Sequence, residues 1–306
     1  MNDLYAGIDL GTTNTKLHTG EIFASGINEM VYDMARNVMT VDGKRYTMEL
    51  FSENANYDMN SNKALNRNIK LNFLYSLHKL ADKDMGIFKD VLVNLPAKQW
   101  ENESTIDMYK KLLQFDNSIL VDVNGEQKEL YVDSIGVVPE DFPAYFTEEV
   151  NNIRFNKKRV LLIGIGSFNS NQYLIKNDEI EESDSNEMGC LRIFQKVASA
   201  INSVHNTNVK KEEVFETMRD GLFKDGNIID ITSIADEILY PECEKFAQEM
   251  KLRWSINNIP NVIAVGGGSI VLKPYLCKYI PHLELIDNAQ NVAAKGMKYI
   301  LELMAS

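Results

Sequence analysis

The stretch GIDLGTTNTK, Gly7 to Lys16, limits what this chain can fold into more than any other. It reads as a short buried strand that runs into a glycine turn rich in hydroxyls and closed by a lysine. The residues that follow, Leu17-His18-Thr19-Gly20, continue as strand and open no helix. A Walker loop is ruled out because GxxxxGK[ST] is absent, and a dinucleotide fingerprint because no helix begins at the glycines. What remains is a glycine-tipped hairpin. In such a tip Gly11 can adopt positive φ, and successive N–H groups from Gly11 through Thr12 and Thr13 to Asn14 can face one concavity. The three side chains add donors and Lys16 adds a positive charge. Asp9, at the strand end, cannot bind phosphate directly but can hold Mg²⁺ through water. An ordinary tight turn capped by threonines has the same local pattern.

Three further stretches bear on chemistry. IGIGSFNSNQYLI is a second strand–turn–strand, in which Gly164, Gly166 and Ser167 permit close backbone approach. VIAVGGGSIVL places Gly266, Gly267 and Gly268 between a buried strand and a helix starting near Ser269, whose N-terminus favours a nearby anion. Close helix–strand packing explains the same glycines. In VVPEDFPAYF, Pro139 and Pro143 fix the backbone around Glu140. A carboxylate there can orient a water for attack on a terminal phosphate, or it is an exposed glutamate near a helix start.

Composition removes several classes. The chain has 306 residues and 44% hydrophobic content, which fits two globular domains. Its net charge of −12 disfavours a broad nucleic-acid surface. The one basic cluster, Lys157-Lys158-Arg159, reads as the solvated flank of a strand. Cys190, Cys243 and Cys277 have no CxxC spacing and read as buried thiols of a reduced, cytoplasmic protein. No secretory signal or membrane-spanning run is expected.

The organisation is that of two hairpin-led α/β halves, divided near 151–158. In the first half the spacing predicts helices over 70–80 and 100–115, a buried strand over 90–95, and an Asn124-Gly125 hairpin. In the second it predicts helices over 187–204, 212–219 and 234–254, a strand over 262–265, and a closing helix over 292–303. The Asn-rich stretch 34–68 is expected to form a small subdomain on the first half.

The ordered set of hairpin loop, proline-flanked glutamate, second hairpin loop and GGG resembles the actin-like ATPase superfamily. Together with Asn94-Leu95-Pro96, the second and fourth stretches most resemble its plasmid-partitioning ParM branch. The resemblance implies an α/β actin-like fold, with two ribonuclease-H-like domains over 1–150 and 151–306 and a nucleotide cleft between them. It implies ATP, with GTP as the alternative, and Mg²⁺. Gly11, Thr12, Thr13, Asn14 and Lys16 would serve the β- and γ-phosphates, with Asp9 near the metal and Glu140 positioning the hydrolytic water. Gly164, Gly166, Ser167, Asn169 and Gly189 would join the cofactor-binding set. Gly266 to Gly268 would approach the α-phosphate and adenosine, and Arg219 and Asp220 the adenosine. It implies head-to-tail filaments, a small DNA-binding adaptor at a centromere-like site, and no direct contact with nucleic acid or membrane.

One departure stands out. The second phosphate loop of this family usually opens on aspartate and carries paired threonines, whereas this chain has Gly164 and Phe168-Asn169. Slow hydrolysis is expected, or a γ-phosphate contact made by Asn169 or Ser167. The rival reading is a small-molecule kinase of the same fold, for which no extra carboxylate motif is found; a filament unrelated to plasmids is a further alternative.

Overall fold

A computed structural model describes residues 4–29, 36–50, 62–82, 84–153 and 159–305. Lys157 and Lys158 of the basic run, and residues 51–61 of the Asn-rich stretch, lie outside the described residues. The chain divides into two compact units, Met1–Glu148 with Asn291–Ser306, and Glu149–Gln290.

The first unit is built on a nine-stranded sheet. Its strands are β1 (Leu4–Leu10), β2 (Asn14–Leu17), β3 (Ile22–Ala24), β4 (Gly26–Asn28), β5 (Val38–Val41), β6 (Lys44–Leu50), β7 (Met85–Leu95), β8 (Ile119–Val123) and β9 (Glu126–Pro139). Their order in the sheet is β3-β2-β1-β7-β9-β8-β5-β6-β4. β1 pairs antiparallel with β2 and parallel with β7, with Gly7 opposite Leu92 and Ile8 opposite Val93. The predicted Asn124-Gly125 hairpin joins β8 to β9, both residues having φ > 0. Helices α1 (Arg67–Leu80) and α3 (Glu103–Leu113) fall where helices were expected, while α2 (Ala97–Trp100) was not expected and Glu101 and Asn102 interrupt the single helix expected from 100. The Asn102 side chain accepts from the Thr105 amide and starts α3 afresh. Ile8, Leu10, Val91, Val93 and Leu95 are buried, each contributing roughly 1.5–3 kcal/mol. In the described part of the 34–68 stretch, β5 pairs with β8 and β6 with β4, so these strands extend the sheet.

A short helix α4 (Glu148–Ile153) is followed by the second unit. Its strands are β10 (Val160–Ile165), β11 (Ser170–Lys176), β12 (Glu179–Asn186), the separate hairpin β13 (Leu222–Lys224) and β14 (Asn227–Ile229), then β15 (Asn261–Val265) and β16 (Leu283–Leu285). The main sheet runs β12-β11-β10-β15-β16, with β10, β15 and β16 parallel. Helices α5 (Cys190–His205), α6 (Val214–Asp220), α7 (Thr232–Trp254) and α8 (Gly267–Leu276) supply apolar faces to its core.

The closing helix α9 (Val292–Ala305), read from sequence with the second half, counts with the first unit. Two glycines let it lie close. A Cβ on Gly7 of β1 would stand 2.5 Å from the Ala294 carbonyl, and one on Gly296 would collide with the Pro143 backbone. Among the described residues no helix is long and apolar enough to cross a membrane.

Candidate functional site

In the first unit the hairpin tip is set by its own backbone. The Gly11 amide donates to the Asp9 carbonyl at 3.0 Å, and a side chain at Gly11 would meet the Asn14 carbonyl. Both carboxylate oxygens of the buried Asp9 are engaged. Lys16 Nζ donates to Oδ2 at 2.6 Å and Asn94 Nδ2 donates to Oδ1 at 2.6 Å. Asn94 in turn accepts from the Leu10 amide at 3.0 Å, so the end of β7 fixes the acid at the end of β1. Burial alone would lower the affinity of Lys16 for its proton. The charge and hydrogen bond of Asp9, followed by Asp141 and Glu140, outweigh that and hold its pKa above the usual value. Lys16 therefore stays cationic while its charge is largely matched by Asp9. The sequence assigned that charge to phosphate; the structure gives it a carboxylate partner first.

Glu140 follows β9 directly. Its amide donates to the Leu95 carbonyl at 2.7 Å, and Asp141 beyond it has φ of 65°, turning the chain into the Phe142–Phe146 turn. This is not an exposed glutamate. Its Oε1 accepts from Lys63 Nζ at 2.7 Å, with side-chain exposures of 13% and 7%. Among the described residues the buried Tyr109 hydroxyl has no hydrogen-bond partner, and its pKa is pushed well up by burial and by the charges of Glu140 and Asp9. Asp9, Lys16, Glu140 and Tyr109 thus share one electrostatic neighbourhood, to which Lys63 is joined through Glu140.

The second unit gathers its predicted glycines differently. Gly164 sits within β10, opposite Asn171 and Val265. At the tip, the Gly166 amide donates to the Asn169 carbonyl at 2.9 Å. The Gly166 and Ser167 carbonyls accept from the Cys190 and Leu191 amides at the start of α5, at 3.1 and 3.0 Å. Gly189 lies so close to Ser167 and Phe168 that a Cβ there would overlap their backbone. Gly266 has φ of 89°, and a Cβ on it would be 2.6 Å from the Ile165 carbonyl. One on Gly268 would be 2.8 Å from Ile165 Cγ2, while Gly267 faces the Gln290 side chain at ordinary contact distance. Helix α8 starts at Gly267, two residues earlier than expected, because Gly266 already makes the turn. The second hairpin, Gly189 and the GGG turn therefore form one cluster of closely packed main chain.

Arg219 and Asp220 stand at the exposed end of α6. Arg219 Nε and Nη2 donate to Asp220 at 2.8 and 2.7 Å, which lowers the pKa of the acid. Their bonds to each other neither add to nor contradict the adenosine role implied by resemblance.

Sequence reasoning missed Lys63, Tyr109 and Ser25, the last of which bonds to the Gly11 and Thr13 carbonyls. Asn94 was noticed only as part of a short motif. Lys63 lies in an Asn-rich stretch without periodicity, and nothing local marks it as the partner of a residue 77 positions away.

Residues 7–142 match the family described as the actin like proteins N terminal domain. None of the curated proteins matches the sequence significantly. Among solved structures, the archaeal actin homolog Ta0583 superposes with a TM-score of 0.82 at 16% identity, covering 98% of this chain and 99% of that one. A further Ta0583 structure is a complex with ADP. The subunit of a 15-stranded ParM filament from Clostridium botulinum gives 0.79 at 17% identity over 99% and 100% of the two chains. The Alp12 filament subunit gives 0.72 at 18% identity over the whole of both. The chain therefore has the fold of these actin-like proteins, and its residues 7–142 match their N terminal domain.

Proposed function

We propose that this protein is a nucleotide-dependent, polymerising ATPase whose filaments segregate plasmid DNA. The observation that carries the reading is the Asp9 arrangement: a buried carboxylate clamped by Lys16 and Asn94 beside a glycine-tipped hairpin, with Glu140 in the same unit. In this reading the hairpin tip from Gly11 to Asn14 binds the β- and γ-phosphates, through the Thr12 and Asn14 amides and the side-chain donors of Thr12, Thr13 and Asn14. Charge-assisted hydrogen bonds of this kind contribute about 1.5–3 kcal/mol each. Lys63 holds one oxygen of Glu140 and so orients the carboxylate that lines up the attacking water. The second unit meets the nucleotide through main chain, at Gly166, Ser167, Gly189 and Gly266 to Gly268, with Ser167 or Asn169 as substitute γ-phosphate donor.

The donor set fits magnesium. Mg²⁺ retains several waters and needs one or two carboxylates plus phosphate oxygens, which a single fixed Asp9 supplies through water. Among the described residues no group of three or more His, Cys, Asp or Glu forms a self-sufficient metal cage. When bound, the ion would neutralise charge building on the phosphates. The absence of a carboxylate at Gly164 supports slow turnover.

The two units would act as the two actin-like domains of a cytoplasmic protein that assembles head to tail. A net charge of −12 supports reaching DNA through a small basic adaptor rather than directly. The test is light scattering and pelleting after addition of ATP or GTP with Mg²⁺, alongside phosphate release. Polymer with slow phosphate release is expected. Phosphate transfer to a metabolite without polymer would replace this reading with a small-molecule kinase.

A further inference from the structure

Ser25, between β3 and β4, continues the β2–β3 ladder through its main chain and adds side-chain bonds that the ladder does not require. It is buried, and its amide donates to the Thr13 carbonyl at 2.9 Å. Its hydroxyl donates to the Gly11 carbonyl at 2.7 Å. That uses its only hydrogen, so in the 2.9 Å bond between Ser25 Oγ and Thr15 Oγ1 the threonine is the donor. The Ser25 carbonyl accepts from Asn72 Nδ2 of α1 at 2.9 Å. One residue thus takes two carbonyls of the hairpin tip and is itself held from the next helix.

The consequence follows from peptide geometry. The peptide bonds of the described residues are trans, and in a trans peptide the N–H points opposite to the C=O of the same unit. Turning the Gly11 carbonyl toward Ser25 aims the Thr12 N–H away from it. Turning the Thr13 carbonyl toward Ser25 does the same for the Asn14 N–H. Two alternate amides are thereby made to point to the side of the loop opposite Ser25, which is the arrangement an oxyanion needs.

We propose that Ser25, braced by Asn72, is the positioning residue of the phosphate loop and sets its affinity for the polyphosphate part of a nucleotide. This rests on the nucleotide reading above and adds to it a residue that touches no ligand.

Calorimetric binding of Mg²⁺-ATP, Mg²⁺-ADP and adenosine to wild type, Ser25→Ala and Ser25→Thr tests it. Ser25→Ala should weaken ATP and ADP about tenfold or more while adenosine binding changes less than about twofold. Ser25→Thr, which keeps the hydroxyl, should restore most of the loss. An equal loss for all three ligands would mean that Ser25 only supports the fold, and the proposal would fall. So would unchanged ATP affinity in Ser25→Ala. Should that variant not fold, Asn72→Leu reaches the loop only through Ser25 and should show the same phosphate-selective loss, smaller in size; no such selectivity overturns the idea. Wild type that binds adenosine but no ATP or ADP would remove the phosphate loop, whereas wild type that binds none of the three would remove the nucleotide reading itself.

Discussion

The two glycine hairpins have the same connectivity and opposite chemistry. Each joins two antiparallel strands of its own sheet, one tip at Gly11–Asn14 and the other at Gly166–Asn169. The first is surrounded by side chains that carry or meet charge: Asp9, Lys16, Asn94 and Ser25. The second is surrounded by main chain, with Gly189, Gly266 and Gly268 packed against Ile165 to Phe168. Charge needs fixed partners and shape needs absent Cβ atoms. The first loop therefore governs where charge sits, while the second governs how closely anything can approach.

If that division is right, the largest single effect belongs to Glu140. Glu140→Ala should slow phosphate release by about 100-fold or more and leave ATP-induced pelleting intact. Lost assembly with retained hydrolysis would overturn the assigned role. Next comes its partner. Lys63→Met removes the 2.7 Å ion pair of a mostly buried carboxylate, and should cost about 3 kcal/mol in urea unfolding. The Lys63→Met/Glu140→Gln double variant should recover part of that; simple additivity would show that the pair is not coupled.

The shape side is probed at Gly266. Alanine there must adopt φ of 89° against the Ile165 carbonyl, and strain of this kind costs about 1–3 kcal/mol. Thermal unfolding should show the loss, and an unchanged midpoint would mean that the second loop tolerates side chains after all. The smallest effect expected is acid sensitivity from His18 and His78. Burial, then the charge of Lys298, lowers the pKa of His18; burial is also the leading cause for His78. Both are neutral when folded and protonate more readily when unfolded. Stability should thus be full above pH about 6.5 and fall below it. His18→Asn and His78→Asn should each flatten that slope in unfolding titrations. A slope unchanged in both would remove these imidazoles from the account.

Much of the frame could be read locally. GIDLGTTNTK gave strand, glycine turn and strand, and VIAVGGGSIVL gave strand, turn and helix, because burial patterning and glycine preference act over a few residues. Asn124-Gly125 was equally plain, since few residue pairs accept two positive φ values in succession. The strands β5 and β6 were not read from the sequence, because their places in the sheet are set by pairing with the distant β8 and β4. Element ends also moved: α3 waited for the Asn102 cap, and α8 began once Gly266 had turned the chain.

By itself, the sequence determined most of the strands and helices, the glycine turns between them, and that Asp9 stands at the end of a buried strand. Only the tertiary structure decided what Asp9 and Glu140 touch. Asn94 comes to Asp9 from 85 residues away, Lys63 to Glu140 from 77, and Asn72 to Ser25 from 47. Backbone preference is set by near neighbours along the chain. The partner of a buried charge is set by which strands lie side by side, and that is fixed only when the whole sheet closes over its core.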